Sequence, residues 1–411
     1  MNKIEFGNCI DTMKKWKAEG VKVQMCVTSP PYYGLRSYLP TDHPDKPLEI
    51  GLEETPDEYI ARMVEVFRGV SGILADDGVI FINIGDSYYN YRPGKGQAVV
   101  QQTVSNSKRD TPENCPRRAN KIEGLKEKDL IGIPFRLAFA LQQDGWYWRQ
   151  NIIWQKVNPL PESVKDRFTN SHEYILMFSK KSHYFFDNYA TREPASEKDK
   201  SGGRVGGNKY TKNAEYNQQN HNQSGKEYIS DGYRNKRSVW PIATKPLKES
   251  HFAAYPPELI EPVILAGTSE RGHCPKCGAR WKRVVESESK EVERHENGHG
   301  AHCPSSHHAG QTPHRKGNFE TYVKNTHWIP QCECGEEPVP DVVFDPFMGS
   351  GTSAMVAVTH GRNYLGCELN LDYKPIQEKR ITPVLKQKQQ EKESSELFSS
   401  LFSDIEDNTG S

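Results

Sequence analysis

Val342-Val343-Phe344-Asp345-Pro346-Phe347-Met348-Gly349-Ser350-Gly351-Thr352 is the stretch from which the rest of the chain can be read. An apolar run of strand type leads to an acid, then to two glycines that let backbone approach a ligand, then to a stretch of helix-forming character. More than 300 residues earlier another apolar run, Val23-Gln24-Met25-Cys26-Val27, ends in Thr28-Ser29-Pro30-Pro31-Tyr32. Open α/β sheets carry their chemistry at the carboxyl ends of strands, so the first stretch reads as a nucleotide cradle and the second as a reaction site.

Between them the pattern alternates. Ile60, Met63, Val64 and Phe67 recur at helical spacing over 57–74. Asp76-Asp77-Gly78 then turns into the strand Val79-Ile80-Phe81-Ile82-Asn83-Ile84, which ends in Gly85-Asp86-Ser87-Tyr88. Asp86 either faces the site or caps a helix. A second helix is expected over 129–144, a strand over 148–154, another over 172–178, and a last one at Tyr364-Leu365-Gly366-Cys367-Glu368. The expected fold class is α/β, a mostly parallel, doubly wound sheet.

The two motifs together resemble the amino-group DNA methyltransferases, whose cofactor motif is Asp-Pro-Phe-x-Gly-x-Gly-Thr and whose catalytic motif is Ser, Asp or Asn followed by Pro-Pro-aromatic. The chain carries Asp345 to Thr352 and Ser29 to Tyr32 in these forms, with the catalytic motif first, the order of the circularly permuted beta class. The resemblance extends through most of residues 4–375. It implies the S-adenosylmethionine-dependent methyltransferase fold with permuted motif order, and the opening strand Ile4-Glu5-Phe6-Gly7-Asn8-Cys9 suits that permutation.

A base amine is a poor nucleophile because its lone pair is delocalised into the ring. Acceptors aimed at its protons return that pair to nitrogen while the methyl donor is held in line. Ser29 Oγ and the carbonyl of Pro30 are the expected acceptors, Pro30 and Pro31 stiffen the turn, and Tyr32 would stack on a base swung out of the duplex. For S-adenosylmethionine the resemblance implies Asp345 at the methionine ammonium and Phe347 packed on the cofactor, with Pro346, Gly349, Gly351 and Thr352 completing the loop. Glu368, nearly 20 residues past the glycines, would accept the ribose hydroxyls. Asn8 stands where the family usually has Asp and would offer its carbonyl oxygen to the adenine, while Asp11 starts the following helix. Phe252, in the segment His251 to Leu259, would close the pocket.

The chain has 411 residues, with 54 basic and 54 acidic side chains, so attraction to double-stranded DNA must come from local patches. One is the basic loop 92–128 with Lys108, Arg109, Arg117 and Arg118. The other is 191–237, where the family places its target-recognition region, with Arg204, Lys209, Arg234 and Arg237 among many Asn and Gln residues. The organisation expected is a catalytic half at 1–190, a recognition region at 191–237 and a cofactor-pocket segment at 238–271. A zinc-knuckle insertion follows at 272–338, then a cofactor-binding half at 339–381 and a polar tail at 382–411. No apolar run approaches 18 residues and no signal-peptide pattern opens the chain, so a soluble cytoplasmic protein is expected, monomer or dimer.

Nine cysteines in such a chain argue against a disulfide framework. Cys274-Pro275-Lys276-Cys277-Gly278 and Cys332-Glu333-Cys334-Gly335 form two knuckles, and four thiolates suit a structural zinc with no open position for catalysis. The long segment between them is tolerated because loop-closure cost rises slowly with length. Its histidines, His295 to His314, read as a polar loop. The insertion would stiffen its junction or touch DNA beside the target.

Methylation at carbon 5 of cytosine is excluded: it needs a cysteine after proline, and Cys115 precedes one. RNA guanine and protein glutamine methyltransferases carry the cofactor motif upstream, contrary to the order here. The expected activity is site-specific methylation of an exocyclic amine in DNA, as in restriction-modification. Serine at the first motif position leans toward cytosine N4. Adenine N6 is the alternative, and a catalytically silent zinc DNA-binding module is the alternative of another class.

Overall fold

The computed structural model describes residues 2–89, 122–195, 233–245, 255–292 and 318–408. Phe252, much of both basic stretches and the His-rich segment lie outside these residues. The chain separates into two compact units. One comprises Met1–Ala190, Arg237–Trp281 and Pro330–Ser411, and the other Thr191–Lys236 and Lys282–Ile329.

In chain order the strands are β1 (Lys3–Phe6), β2 (Val23–Thr28), β3 (Leu74–Ile84), β4 (Tyr147–Lys156), β5 (His172–Ser179), β6 (Glu193–Pro194), β7 (Tyr233–Arg234), β8 (Val239–Ile242), β9 (Lys282–Val292), β10 (Asn318–Ile329), β11 (Val342–Asp345) and β12 (Asn363–Glu368). The helices with described positions are α1 (Cys9–Ala18), α2 (Pro56–Ile73), α3 (Ile133–Gln143), α4 (Pro257–Gly267), α5 (Thr352–Thr359) and α6 (Lys374–Asn408).

Eight strands of the larger unit form one sheet in the order β1-β12-β11-β2-β3-β5-β4-β8. Every neighbouring pair is parallel except those made by β5, which runs against both β3 and β4. A parallel sheet needs cover on both faces, and strand alternation supplies it. Cys26, Ile80, Ile82, Phe344 and Leu365 join Met13 and Trp16 of α1 and Met63 and Phe67 of α2 in one core. Met25, Val27, Phe81, Val343 and Tyr364 join Leu259 and Val263 of α4 and Ala354 and Ala357 of α5 in another. This is the doubly wound α/β architecture that the sequence pattern predicts. In the smaller unit β9 and β10 form an antiparallel hairpin, and β6 pairs with β7.

Local sequence explains the element ends. Thr55 caps α2 in a reciprocal box: its hydroxyl accepts from Glu58 N at 3.2 Å while Glu58 Oε2 accepts from Thr55 N at 3.1 Å, and Pro56 opens the first turn. The turn expected at Asp76-Asp77-Gly78 is a bulge inside β3. Leu74 pairs with Val23 and Val79 with Met25, so the intervening residues loop out of the ladder. The polar tail expected from 382 is helical as far as Asn408, with side-chain bonds such as Gln387 to Glu391 at 2.9 Å along its surface. Among the described residues no helix is long and apolar enough to cross a membrane.

Candidate active site

All six residues of β2 are buried, and this strand lies directly beside β11, with Val343 opposite Met25 and Phe344 opposite Cys26. Motifs more than 300 residues apart in sequence therefore finish side by side. At their ends Thr28 Oγ1 donates to Asp345 Oδ1 at 2.6 Å, both residues fully buried.

The Ser29–Tyr32 turn is held from several sides. Tyr59 Oη of α2 donates to the Pro31 carbonyl at 2.8 Å, so that carbonyl is occupied and differs from the Pro30 carbonyl assigned to the amine. Gly51, with φ of +100°, comes so close that a Cβ there would stand 3.1 Å from Tyr32 O and 3.4 Å from Pro31 Cβ. Tyr32 Oη donates to Glu173 Oε2 at 2.7 Å, which also accepts from Asn83 Nδ2 at 3.2 Å. The other oxygen of Glu173 is paired with Lys156 Nζ. Burial, with the Glu173 carboxylate second, pushes the Tyr32 phenol well above its ordinary range, so it stays a hydrogen-bond donor. The Tyr32 ring lies where Gly85 leaves room, since a Cβ there would meet Tyr32 Cε2 at 2.8 Å.

In the glycine loop Asp345 is saturated by protein donors. Oδ1 accepts from Thr28 and from Phe347 N at 3.0 Å, and Oδ2 accepts from Ser353 and from Tyr255 Oη at 3.3 Å. Burial raises its carboxyl above the usual range, against the pull of the Ser353 and Thr28 hydroxyls. The sequence reading assigned this acid to a cofactor ammonium; in the structure it ties the loop to β2 and to α5. Gly349 and Gly351 have φ of +51° and +80°, and Gly351 caps α5. The loop is braced from α6, where Gln377 Nε2 donates to Gly349 O at 2.7 Å and Arg380 Nη1 donates to Ser350 O at 2.9 Å and Thr352 Oγ1 at 2.9 Å. Pro346 follows Asp345 at the mouth of this loop, and Phe347 packs against the core on the α1 and α2 side.

Glu368, at the end of β12, faces the same loop. Its Oε2 accepts from Gly349 N at 2.7 Å and its Oε1 from Asn370 N at 2.9 Å. Burial pushes its carboxyl up to about 7. Tyr38 and Tyr373 both feel its charge, and Asn370 Nδ2 donates to Tyr38 O at 3.0 Å, so the loop after the Ser29–Tyr32 turn wraps over this acid. Asn8 Oδ1 accepts from Ile10 N at 2.8 Å and caps α1. Asp86 caps α3 across space, accepting from Gly132 N at 3.0 Å and Ile133 N at 3.1 Å.

Sequence reasoning gave no role to Thr28, Asn370 or Tyr255, although Thr28 and Asn370 lie within two residues of motif residues at strand ends. Lys156 and Glu173 fall in the stretches 155–159 and 172–178, whose resemblance to the family suggests a lining for the base pocket; that they brace Tyr32 follows only from the pairing of β3, β4 and β5.

Cys274, Cys277, Cys332 and Cys334 converge, with all four sulfurs within 4.8 Å of one another. Gly278 and Gly335, with φ of +76° and +71°, close the two knuckles. Backbone N–H groups, that of Cys277 first, lower the Cys274 thiol to about 7, whereas its sulfur neighbours, Cys277 first, push Cys334 up to about 12. Four crowded thiols of this kind are a donor set that a divalent cation would deprotonate and tie together. The cluster belongs to the larger unit and sits at the amino ends of the strands, away from Ser29. Arg280, just past the first knuckle, is buried; it donates to Gly267 O at 2.7 Å and to Gln24 O of β2 at 2.5 Å, and pairs with Asp341 at 3.6 Å. His273 reaches the same acid at 2.9 Å. Of the two roles expected for this element, the bonds of Arg280 and His273 to Gln24, Gly267 and Asp341 are those of a stiffened junction.

Comparison with known proteins agrees with this geometry. The family model for DNA methylases matches residues 23–274 and 334–379. The type II methyltransferase M.Cfr9I of Citrobacter freundii is 35% identical over 364 residues, covering 87% of this chain and 81% of that protein. The type II methyltransferase M.SmaI of Serratia marcescens is 40% identical over 246 residues, covering 60% of this chain and 69% of that protein. A solved structure described as PvuII DNA methyltransferase (cytosine-N4-specific) superposes with a TM-score of 0.46 at 13% identity, over 94% of this chain and 93% of the other.

Proposed function

The chain belongs to the DNA methylase family, whose members methylate amino groups of bases with S-adenosylmethionine, and from that premise we propose that it methylates N4 of cytosine within one short DNA sequence. The permuted motif order would make it a beta-class enzyme, acting beside a restriction endonuclease as type II methyltransferases do. The observation that carries the proposal is the Thr28–Asp345 hydrogen bond, which joins the Ser-Pro-Pro-Tyr turn to the glycine loop.

The residues present suit the cofactor. Gly349 and Gly351 hold left-handed backbone that a side chain would strain, and a Cβ on Gly351 would meet Ile381 at 3.0 Å. Glu368 is a buried carboxyl that pairs with no cation among the described residues and, besides the N–H groups of Gly349 and Asn370, has lone pairs left for a pair of hydroxyls. S-adenosylmethionine, when bound, supplies a methyl group on a positively charged sulfur. Ser29 Oγ and the Pro30 carbonyl accept from the two amine protons and localise the lone pair, and the turn keeps the amine nitrogen in line with the donor. Tyr32 presents its ring to the base, its orientation held by Glu173, Asn83 and Lys156. The amine releases one proton as the new nitrogen–carbon bond forms.

The preference for cytosine rests on serine at position 29. Digesting DNA methylated by the protein to nucleosides, and separating them by chromatography with mass detection, tests it directly. N4-methylcytosine is the expected product; N6-methyladenine would overturn the base assignment alone, and no methylated base would overturn the enzyme. We also propose that Cys274, Cys277, Cys332 and Cys334 hold one structural zinc, checked by metal analysis of the purified protein, with about one equivalent expected.

A further inference from the structure

Residues 157–171 connect β4 to β5 at the end of the sheet that carries Tyr32. Lys156, the last residue of β4, pairs with Glu173, which accepts the Tyr32 hydroxyl. The connection is pinned by its polar side chains. Asn158 donates to Thr244 O at 3.1 Å and accepts from Thr244 N at 2.7 Å; the Arg167 guanidinium lies 4.0 Å over the Tyr88 ring and pairs with Glu162 at 2.5 Å; Asp166 pairs with Lys128 at 2.6 Å. Its apolar side chains are left in water: Val157, Leu160 and Val164 are exposed, and Phe168 is 97% exposed, more than any other large hydrophobic among the described residues. Four exposed apolar side chains on one short loop that is anchored by its charges are the kind of surface that takes a partner.

We propose that Phe168 enters the duplex as the target base leaves it, its ring occupying the stacked gap that the flipped base vacates. The inference rests on the methyltransferase reading and adds to it a residue that acts on the DNA left behind. A base can reach Ser29 only by leaving the stack, and the gap it leaves has the flat apolar walls that an inserted aromatic side chain fills. Continuity argues for DNA as the occupant, because the loop departs from the residue that braces Tyr32. Lys165, three residues from the ring, suits a flanking phosphate.

The test uses the full chain and Phe168→Ala on oligonucleotide duplexes containing the sequence mapped from wild-type methylation. One duplex carries the matched base opposite the target and the other an abasic site, which loosens the stack beforehand. On matched duplex the variant should lose about ten-fold or more in kcat/KM, with cofactor affinity and Tm unchanged, and on the abasic duplex it should return to near the wild-type rate. With 2-aminopurine at the target position, the fluorescence rise on binding should shrink in the variant. Wild-type rates on matched duplex, or an equal loss on both duplexes, would overturn the wedge while leaving the methyltransferase reading intact; the second result would assign Phe168 to the flipped base instead. A change in oligomeric state by sedimentation would mark the ring as a contact between copies and likewise end the proposal. Absence of any wild-type transfer to DNA would overturn both.

Discussion

The two ends of β2 and β11 are built from similar materials and do opposite work. At the amino ends Arg280 donates to the Gly267 and Gln24 carbonyls and pairs with Asp341, His273 reaches the same acid, and Gln24 Oε1 accepts from Val342 N, with the cysteine cluster behind them. At the carboxyl ends Thr28 donates to Asp345, while Ser29 follows Thr28 in the turn and Glu368 accepts from the backbone of Gly349 and Asn370. One end is closed so that the other can stay open: a strand pair that must hold two motifs in register gains from being fixed where no substrate has to enter.

The sharpest way to break this comparison is to alter the open end. Gly351→Val forces a β-branched side chain into φ of +80° against Ile381, and cofactor binding should fall beyond detection by isothermal titration. Ser29→Ala should instead leave that binding nearly intact and reduce turnover by about a hundred-fold or more. Equal loss of cofactor affinity in both variants would refute the division of labour between the two motifs.

At the closed end the expected effect is on stability. Arg280→Met leaves the buried Asp341 with only His273 and Ser269 N, strands the carbonyls of Gly267 and Gln24, and should cost about 3 kcal/mol in denaturant unfolding. If the four cysteines hold the proposed zinc, a chelator should lower Tm as well, and should make Arg280→Met less costly, because both changes loosen the same corner. Additive effects would separate the cysteine cluster from the Arg280 latch.

Glu368 supplies a pH test. Its carboxyl is raised from 4.5 to about 7, so the unliganded native chain holds a proton that the unfolded chain has released. That contribution to stability is complete below the unfolded value and is lost as pH rises through about 7. Hydroxyl donors on a cofactor favour the charged form, so affinity should change the other way, tightening by up to about ten-fold per pH unit up to 7 and levelling above it. Titrations across this range should show the slope in the wild type and a flat profile in Glu368→Gln.

The smallest expected change is Thr28→Val, which removes one buried donor from Asp345 and should cost about 1–2 kcal/mol, read by thermal unfolding. If turnover falls far more than stability, the bond aligns the two motifs as well as holding them.

Much of this was legible in the chain. The apolar runs before Ser29 and Asp345 are buried parallel strands, helices lie close to where Ile60 to Phe67 and Thr352 put them, and the two cysteine knuckles converge as their spacing implies. Local chemistry suffices for such features, since periodicity, proline and glycine act within a few residues. What could not be read is how each polar group is spent. Asn8 has the composition of a cofactor contact and caps a helix, because its backbone is extended just ahead of α1 and the nearest donor is Ile10 N. Asp345 has the position of a ligand and is saturated by Thr28, Phe347, Ser353 and Tyr255, two of them far away in sequence.

Residue types and their order were therefore enough to read the α/β class and the family, and to single out the Ser-Pro-Pro-Tyr turn and the glycine loop that the sheet brings together. The assembled sheet alone decided that Glu173 and Lys156 brace Tyr32, that Arg280 locks the far end, and that Phe168 stands out in water beside the site. Hydrogen bonds and burial depend on which strand ends meet, and strand ends meet by long-range pairing that no local window of sequence contains.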